Sequence, residues 1–349
     1  MQDRLRVAVV TPLSEEMCEL IERLEPRVEM VRDQQLLPPV RYPADHTGDR
    51  SFRRTPEQQQ RFEQMIDSAD ALYGLPGEDS AALRRAADAN PGLRWVHTMA
   101  AGGGAQIKKA ELSADQLERI AFTTSAGVHS APLTEFALFG LLAGAKNLSR
   151  LQSDQAAHTW PDRWLMGQLR EQTVLVVGLG GIGAEVARLL AAMGTRVIGT
   201  SRRGAGVDGV AEVVHPDELV DVVGRVDGIV VTLPGTAATE KLVGAEVLAA
   251  VRPGATLVNV GRGTVIDEDA LAEALRDGRI GFAALDVFAE EPLDPASPLW
   301  DLPNLLVSPH NAALTPAEER RIAELFAENA TRLLNGKELR NPVNTVEFY

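Results

Sequence analysis

The sequence predicts an α/β protein with two doubly wound, parallel-sheet domains, and three observations carry that prediction. Residues 173–183, TVLVVGLGGIG, set a β-branched and leucine run directly against a glycine cluster, and an alanine-rich helical pattern, AEVARLLAAMG, follows at once. Short apolar strands and amphipathic helices then alternate along most of the chain, as crossover-connected parallel strands require. At 349 residues the chain is long for one domain, and 45% hydrophobic content suffices for two buried cores.

Composition removes several function classes. A net charge of -14 argues against nucleic-acid binding, which needs a concentrated basic face to neutralise phosphates. The single cysteine, Cys18, has no internal disulfide partner, and no Cys/His cluster has metal-ligand spacing, so no metal is expected. The N-terminal MQDRLRVAVVTPL carries an apolar run too short for a signal segment, and the longest apolar stretch, Phe136 to Ala145, is too short to span a bilayer. A cytoplasmic protein with no membrane contact is the expectation.

Taken in order, residues 5–10 read as a strand, and Ser14, Glu16 and the stretch to Leu24 as the helix after it. Residues 34–56 are rich in Pro, Arg and Asp and lack any apolar period; they read as a long loop carrying Arg41, Arg50, Arg53 and Arg54, with no role assigned to its His46. Helical pattern resumes at 57–68 and 80–89, strands at 69–75, 93–98 and 121–127. Ligands of open parallel sheets bind outside the carboxyl ends of strands, which makes the loops 74–77 and 99–104 the expected substrate contacts of the first domain. A glycine turn can cradle a carboxylate with its N–H groups, although a plain helix-start turn reads equally well there. The helix at 132–148 is apolar nearly all round and must be buried; it is expected both to join the domains and to lie in a subunit interface, with an ordinary core helix as the alternative. Trp160, Pro161 and Trp164 form an exposed-looking aromatic cluster after it.

At the fingerprint, Gly178, Gly180 and Gly183 fit G-x-G-x-x-G: a tight turn, close approach of backbone to pyrophosphate, and close packing of helix on strand. The helix N-terminus beyond offers unpaired N–H groups and a positive dipole end to phosphate. Gly194 ends that helix as a C-cap, and 196–200 (RVIGT) is the next strand. There an acid would normally bind the adenosine ribose; this chain has Ser201, Arg202 and Arg203, a set that suits a 2′-phosphate and predicts NADP(H) over NAD(H), with NAD(H) still possible. Further strands are expected at 228–234, 255–263, 282–288 and 305–310, helices at 245–251 and 268–276, and a last long helix at 317–334 that returns the chain to the first domain.

Three polar groups stand at strand ends in this second half: Arg262 after VNVG, Glu291 after LDVF and His310 after LLVSP. Reduction of a carbonyl by a nicotinamide needs a proton donor and a fixed cation. His310 can donate the proton, Arg262 can hold carboxylate and carbonyl oxygens, and Glu291 can orient the imidazole and favour its protonated form. All three are expected to face one cleft.

The motifs VVGLGGIG, TLPGTAAT (232–239), NVGRGTVID (259–267), ALDVFAEEPL (284–293) and SPHNAALT (308–315) resemble, in that order, those of D-isomer-specific 2-hydroxyacid dehydrogenases, and of glyoxylate and hydroxypyruvate reductases among them. The resemblance covers 173–315 closely and the flanks more loosely. It implies Arg262, Glu291 and His310 as the catalytic set and Asp286 on the nicotinamide side. Cofactor contacts are implied at Gly178, Gly180, Gly181, Ile182, Gly183, Ser201, Arg202, Arg203, Thr232, Leu233, Pro234, Val260 and Gly261. Substrate contacts are implied at Leu75 and at Ala101, Gly102 and Gly103, where a run of three glycines departs from the family pattern. It further implies a Rossmann domain (129–315) inserted into a flavodoxin-like substrate domain (1–128 and 316–349), and a homodimer. The function expected is NADPH-preferring reduction of a small 2-oxo acid to the D-2-hydroxy acid. The alternatives are a dehydrogenase of a bulkier or phosphorylated substrate such as 3-phosphoglycerate, with loop arginines as phosphate contacts, or a non-catalytic, dinucleotide-sensing, corepressor-like protein.

Overall fold

A computed structural model describes residues 4–42, 44–204, 206–346 and 348. Two parallel sheets organise the chain, and its contacts divide it into two units, Met1–His129 with Leu314–Tyr349, and Ser130–Ala313.

The first unit contains β1 (Leu5–Val9), β2 (Val28–Val31), β3 (Ala71–Tyr73), β4 (Trp95–Thr98) and β5 (Ala121–Thr124) in the order β2-β1-β3-β4-β5. That is the flavodoxin-like doubly wound order, with its switch between β1 and β3. Helices α1 (Glu15–Leu24), α2 (Pro56–Asp67), α3 (Ser80–Ala89), α4 (Gly104–Lys109) and α5 (Ala114–Arg119) connect the strands. The sequence reading missed β2, α4 and α5. β2 is a four-residue edge strand with only alternate positions buried, and neither helix carries an apolar stripe, since α4 buries only Gly104 and Ile107 and α5 buries no residue. The core is centred on Trp95, whose ring stacks on Phe326 with centroids 4.4 Å apart.

The second unit contains β6 (Thr173–Val177), β7 (Arg196–Thr200), β8 (Glu212–Val214), β9 (Gly228–Val231), β10 (Ala255–Asn259), β11 (Ile280–Leu285) and β12 (Leu305–Val307). Their order is β12-β11-β10-β9-β6-β7-β8, all parallel. Read outward from β6, this is the dinucleotide-fold order with a seventh strand added, and the switch point lies between β6 and β9. β8, also missed, is a three-residue edge strand that exists through its pairing with β7.

The apolar helix is α6 (Ser130–Ala145), and it stops earlier than its sequence suggests. Asn147 adopts a left-handed φ of 53°, and a separate helix, α7 (Leu148–Ala156), follows. α6 is a core helix of its own unit. Gly140 lets its backbone seat on β10, since a Cβ there would stand 2.7 Å from a Val258 methyl. The crossover helix α8 (Gly181–Ala192) packs beside it, and Gly194 closes α8 at φ 88°. The remaining helices of this unit are α9 (Leu219–Val223), α10 (Ala245–Ala250) and α11 (Glu268–Arg276). After Leu314 the chain forms α12 (Glu318–Leu334), which packs on α1 within the first unit. Among the described residues, no helix is long and apolar enough to cross a membrane.

Candidate active site

Two of the three fingerprint glycines show in the fold the physical reasons that the spacing predicted, Gly178 and Gly183. Gly178 takes φ 105°, and a Cβ there would stand 2.6 Å from a Leu233 methyl. Around Gly180 a Cβ would meet nothing within 4 Å, so backbone is open to a close ligand. At Gly183 a Cβ would overlap the Gly178 carbonyl oxygen, so only glycine lets α8 start this close to β6. Gly180 and Gly181 are exposed at the helix start, with Ile182 partly covered beside them. Neighbouring hydroxyls brace the turn: Thr200 accepts from the Gly178 N–H at 2.9 Å, and Thr232 donates to the Gly178 carbonyl at 2.7 Å.

At the end of β7, Ser201 Oγ accepts from the Arg203 N–H at 3.3 Å, and both Arg202 and Arg203 are exposed. Pro234 is exposed after β9, while Val260 is buried. At Gly261 a Cβ would stand 2.5 Å from the Leu233 carbonyl oxygen, which binds the loops after β9 and β10 together.

The three expected catalytic side chains follow adjacent parallel strands: Arg262 after β10, Glu291 after β11 and His310 after β12. They therefore lie at the same edge of one sheet. His310 Nδ1 is 2.8 Å from Glu291 Oε2, while the other carboxylate oxygen, Oε1, accepts from the Phe288 N–H at 3.0 Å. His310 sits at φ 58°, a left-handed conformation uncommon for a side chain of this size, and its imidazole remains accessible at 45% exposure. Arg262 is exposed; its guanidinium donates to the Gly261 carbonyl at 2.7 Å, and its own carbonyl accepts from Asn259 Nδ2 at 3.0 Å. Gly263 joins this segment to the Glu291 turn, because a Cβ there would overlap the Phe288 backbone.

Asp286 is fully buried. One carboxylate oxygen accepts from the Ser308 hydroxyl at 2.5 Å and from the N–H groups of Asn311 and Ala312 at 2.9 and 3.0 Å. It thereby fixes the loop that carries His310, a role the sequence reading did not foresee.

The expected substrate residues lie in the first unit. Leu75 is buried in the core after β3, and Ala101 and Gly102 are exposed after β4. Gly103 is buried where a Cβ would overlap the Thr98 hydroxyl, so packing alone already demands glycine there. His97, inside β4, is a core histidine: burial pushes it down to about 3, and its ring nitrogens lie 2.8 and 3.1 Å from the hydroxyls of Thr123 and Ser125.

Sequence reasoning passed over His46. Its backbone carbonyl accepts from Thr11 Oγ1, and its Nε2 lies 3.6 Å from Glu318 Oε1, which also receives His129 Nε2 at 2.9 Å. Burial alone would push the Glu318 carboxyl up, but the two histidines outweigh it and hold the group down at about 2. This cluster needed tertiary structure to be seen, since its members come from a loop, a strand exit and a helix start.

The family model described as "D-isomer specific 2-hydroxyacid dehydrogenase, NAD binding domain" matches residues 138–312. A glyoxylate reductase of Aeropyrum pernix is 34% identical over 289 residues, 79% of this chain and 83% of that one. A D-3-phosphoglycerate dehydrogenase of Mycobacterium leprae is 37% identical over 221 residues, 63% of this chain but 41% of that one. Among solved structures, a D-isomer specific 2-hydroxyacid dehydrogenase from Xanthobacter autotrophicus Py2, in complex with NADPH and MES, aligns over 99% of this chain and 100% of that one with a TM-score of 0.77 at 27% identity.

Proposed function

This chain belongs to the D-isomer specific 2-hydroxyacid dehydrogenase family, and on that premise we propose that it reduces a small 2-oxo acid, of the glyoxylate or hydroxypyruvate kind, to the D-2-hydroxy acid with NADPH. The observation that carries the reading is the His310–Glu291 couple, 2.8 Å apart, at the same sheet edge as Arg262.

The cofactor reading has support of its own. Gly178, Gly180 and Gly183 fit a pyrophosphate on the α8 N-terminus, and the serine and two arginines after β7 suit a 2′-phosphate. When bound, the reduced nicotinamide supplies a hydride to the carbonyl carbon. Glu291 accepts the Nδ1 proton of His310 and so presents Nε2 as the donor; the carbonyl oxygen takes that proton as it becomes a hydroxyl. Arg262 pairs with the substrate carboxylate and steadies charge on the carbonyl oxygen. Thr232, Leu233, Pro234, Val260 and Gly261 line the cofactor side in this proposal. Asp286 holds the His310 loop there, and Leu75, Ala101, Gly102 and Gly103 contribute substrate contacts.

A phosphorylated substrate is less well supported, because three of the four loop arginines are engaged locally. Arg41 grips Asp45 through Nε and Nη2 at 2.7 and 2.9 Å, Arg53 donates to the carbonyls of Arg50 and Phe52, and Arg54 stacks 3.7 Å over Phe62. A corepressor-like role would not require the His310–Glu291 couple. We extend the proposal to a cytoplasmic homodimer: Trp160 and Leu165 are each 98% exposed, and bare apolar side chains of this size mark interfaces.

The test is a panel of glyoxylate, hydroxypyruvate, pyruvate, phenylpyruvate and 3-phosphohydroxypyruvate with NADPH and with NADH. Turnover should be fastest with one of the first two and NADPH. His310→Ala should lower kcat by about a thousandfold, in the range of lost general acid catalysis, and leave NADPH affinity intact. Tight NADPH binding without turnover of any oxo acid would instead support the sensing role.

A further inference from the structure

Beyond Arg262, Glu291 and His310, we infer that Glu268 is a positioning residue for the acid/base couple: its carboxylate holds the 288–291 turn in place and adds a negative charge beside it. The inference rests on the proposed acid/base role of His310.

Glu268 is the first residue of α11, half-buried, with Asp267 as the cap whose side chain accepts from the Ala270 N–H. A helix needs no glutamate at this place beyond a mild dipole preference. Here the carboxylate leaves its own helix and accepts from the Ala289 N–H at 2.6 Å, twenty-one residues away. The preceding amide, that of Phe288, binds Glu291 Oε1 at 3.0 Å, so two consecutive N–H groups of one turn are taken by two carboxylates.

From the other side Gly263 packs against the Phe288 backbone so closely that no Cβ would fit. The turn is therefore clamped between the Arg262 segment and α11, and this clamp leaves Glu291 Oε2 facing His310 Nδ1. Burial pushes the Glu268 carboxyl up from its ordinary value against the pull of the Ala289 amide, with Asp269, Asp267 and Glu291 adding to the rise. The charged and titratable groups around the turn are thus Glu268 and Asp269 on α11, its cap Asp267 with Lys241 3.1 Å away, Glu290 and Glu291 on the turn itself, and Arg262 and His310 on the neighbouring strand ends. A carboxylate placed this close to Glu291 favours the protonated imidazole that carbonyl reduction consumes.

Glu268→Ala removes both bond and charge, whereas Glu268→Gln keeps an acceptor oxygen for Ala289 and removes only the charge. With the best oxo acid of the panel, Glu268→Ala should lower kcat about ten- to a hundredfold, the usual cost of loosening an aligned group, while NADPH affinity and melting temperature stay near wild type. Glu268→Gln should recover most of kcat, but its pH profile should lose activity at lower pH than wild type. Wild-type kcat and pH profile in both variants would overturn the inference. So would a loss of kcat matched by an equal loss of NADPH affinity, which would mark a general role in α11. Absence of oxo-acid turnover in the wild-type enzyme would instead strike the proposed function itself.

Discussion

In the proposed reading, Ser201 stands where one side chain discriminates between two cofactors differing by a phosphate. A carboxylate there would repel the 2′-phosphate and accept the ribose hydroxyls. Ser201→Asp should therefore move the kcat/KM preference toward NADH by about tenfold, a change of about 1.4 kcal/mol; an unchanged preference for NADPH would place the phosphate pocket elsewhere. At this scale two of the fingerprint glycines were legible as structural necessities, Gly178 through its left-handed φ and Gly183 through its closeness to the Gly178 carbonyl. Asp286 was not. A buried carboxylate binding Ser308, Asn311 and Ala312 is invisible until β11 and β12 lie side by side. The burial of the Leu75 side chain in the core of the first unit was likewise not legible from its place after a strand.

At the scale of elements, the cluster of Glu318, His129 and His46 joins the start of α12 to the exit of β5 and to the long loop after β2. Glu318 is held at about 2 in the folded chain against an ordinary value of 4.5. A depressed carboxyl contributes stability that is complete above its unfolded value and lost as pH falls through its folded one. Glu318→Gln should thus cost about 2 kcal/mol near pH 6, with the gap to wild type closing as pH drops from about 4.5 toward 2. A gap that persists undiminished at the acid end would show that packing, not charge, makes the difference. The elements read well were those with long periods or strong caps, such as α3, α11 and α12. β2 and β8 escaped because they are edge strands with only part of their positions buried, and α4 and α5 because one buries a single side chain beyond glycine and the other none, so neither shows an apolar pattern of its own.

For the whole molecule, the proposed dimer makes a direct prediction. Replacing both Trp160 and Leu165 by serine should shift the elution position toward that of a monomer while leaving the melting of the isolated fold largely intact, since neither side chain packs within its own subunit. A dimer unaffected by the double substitution would place the interface elsewhere. The sequence by itself determined the strand-and-helix alternation, the glycine turn and the polar residues that stand after β10, β11 and β12, because period, turn chemistry and residue identity are local properties. Only the tertiary structure decided that α6 packs into the core of its own unit, that Arg41 and Arg54 are engaged locally, and that Glu268 and Asp286 bind the turns bearing Glu291 and His310. The Glu268–Ala289 and Asp286–Asn311 bonds join residues that are remote along the chain, and it is the order in which strands stack, not any local preference, that brings such residues within reach.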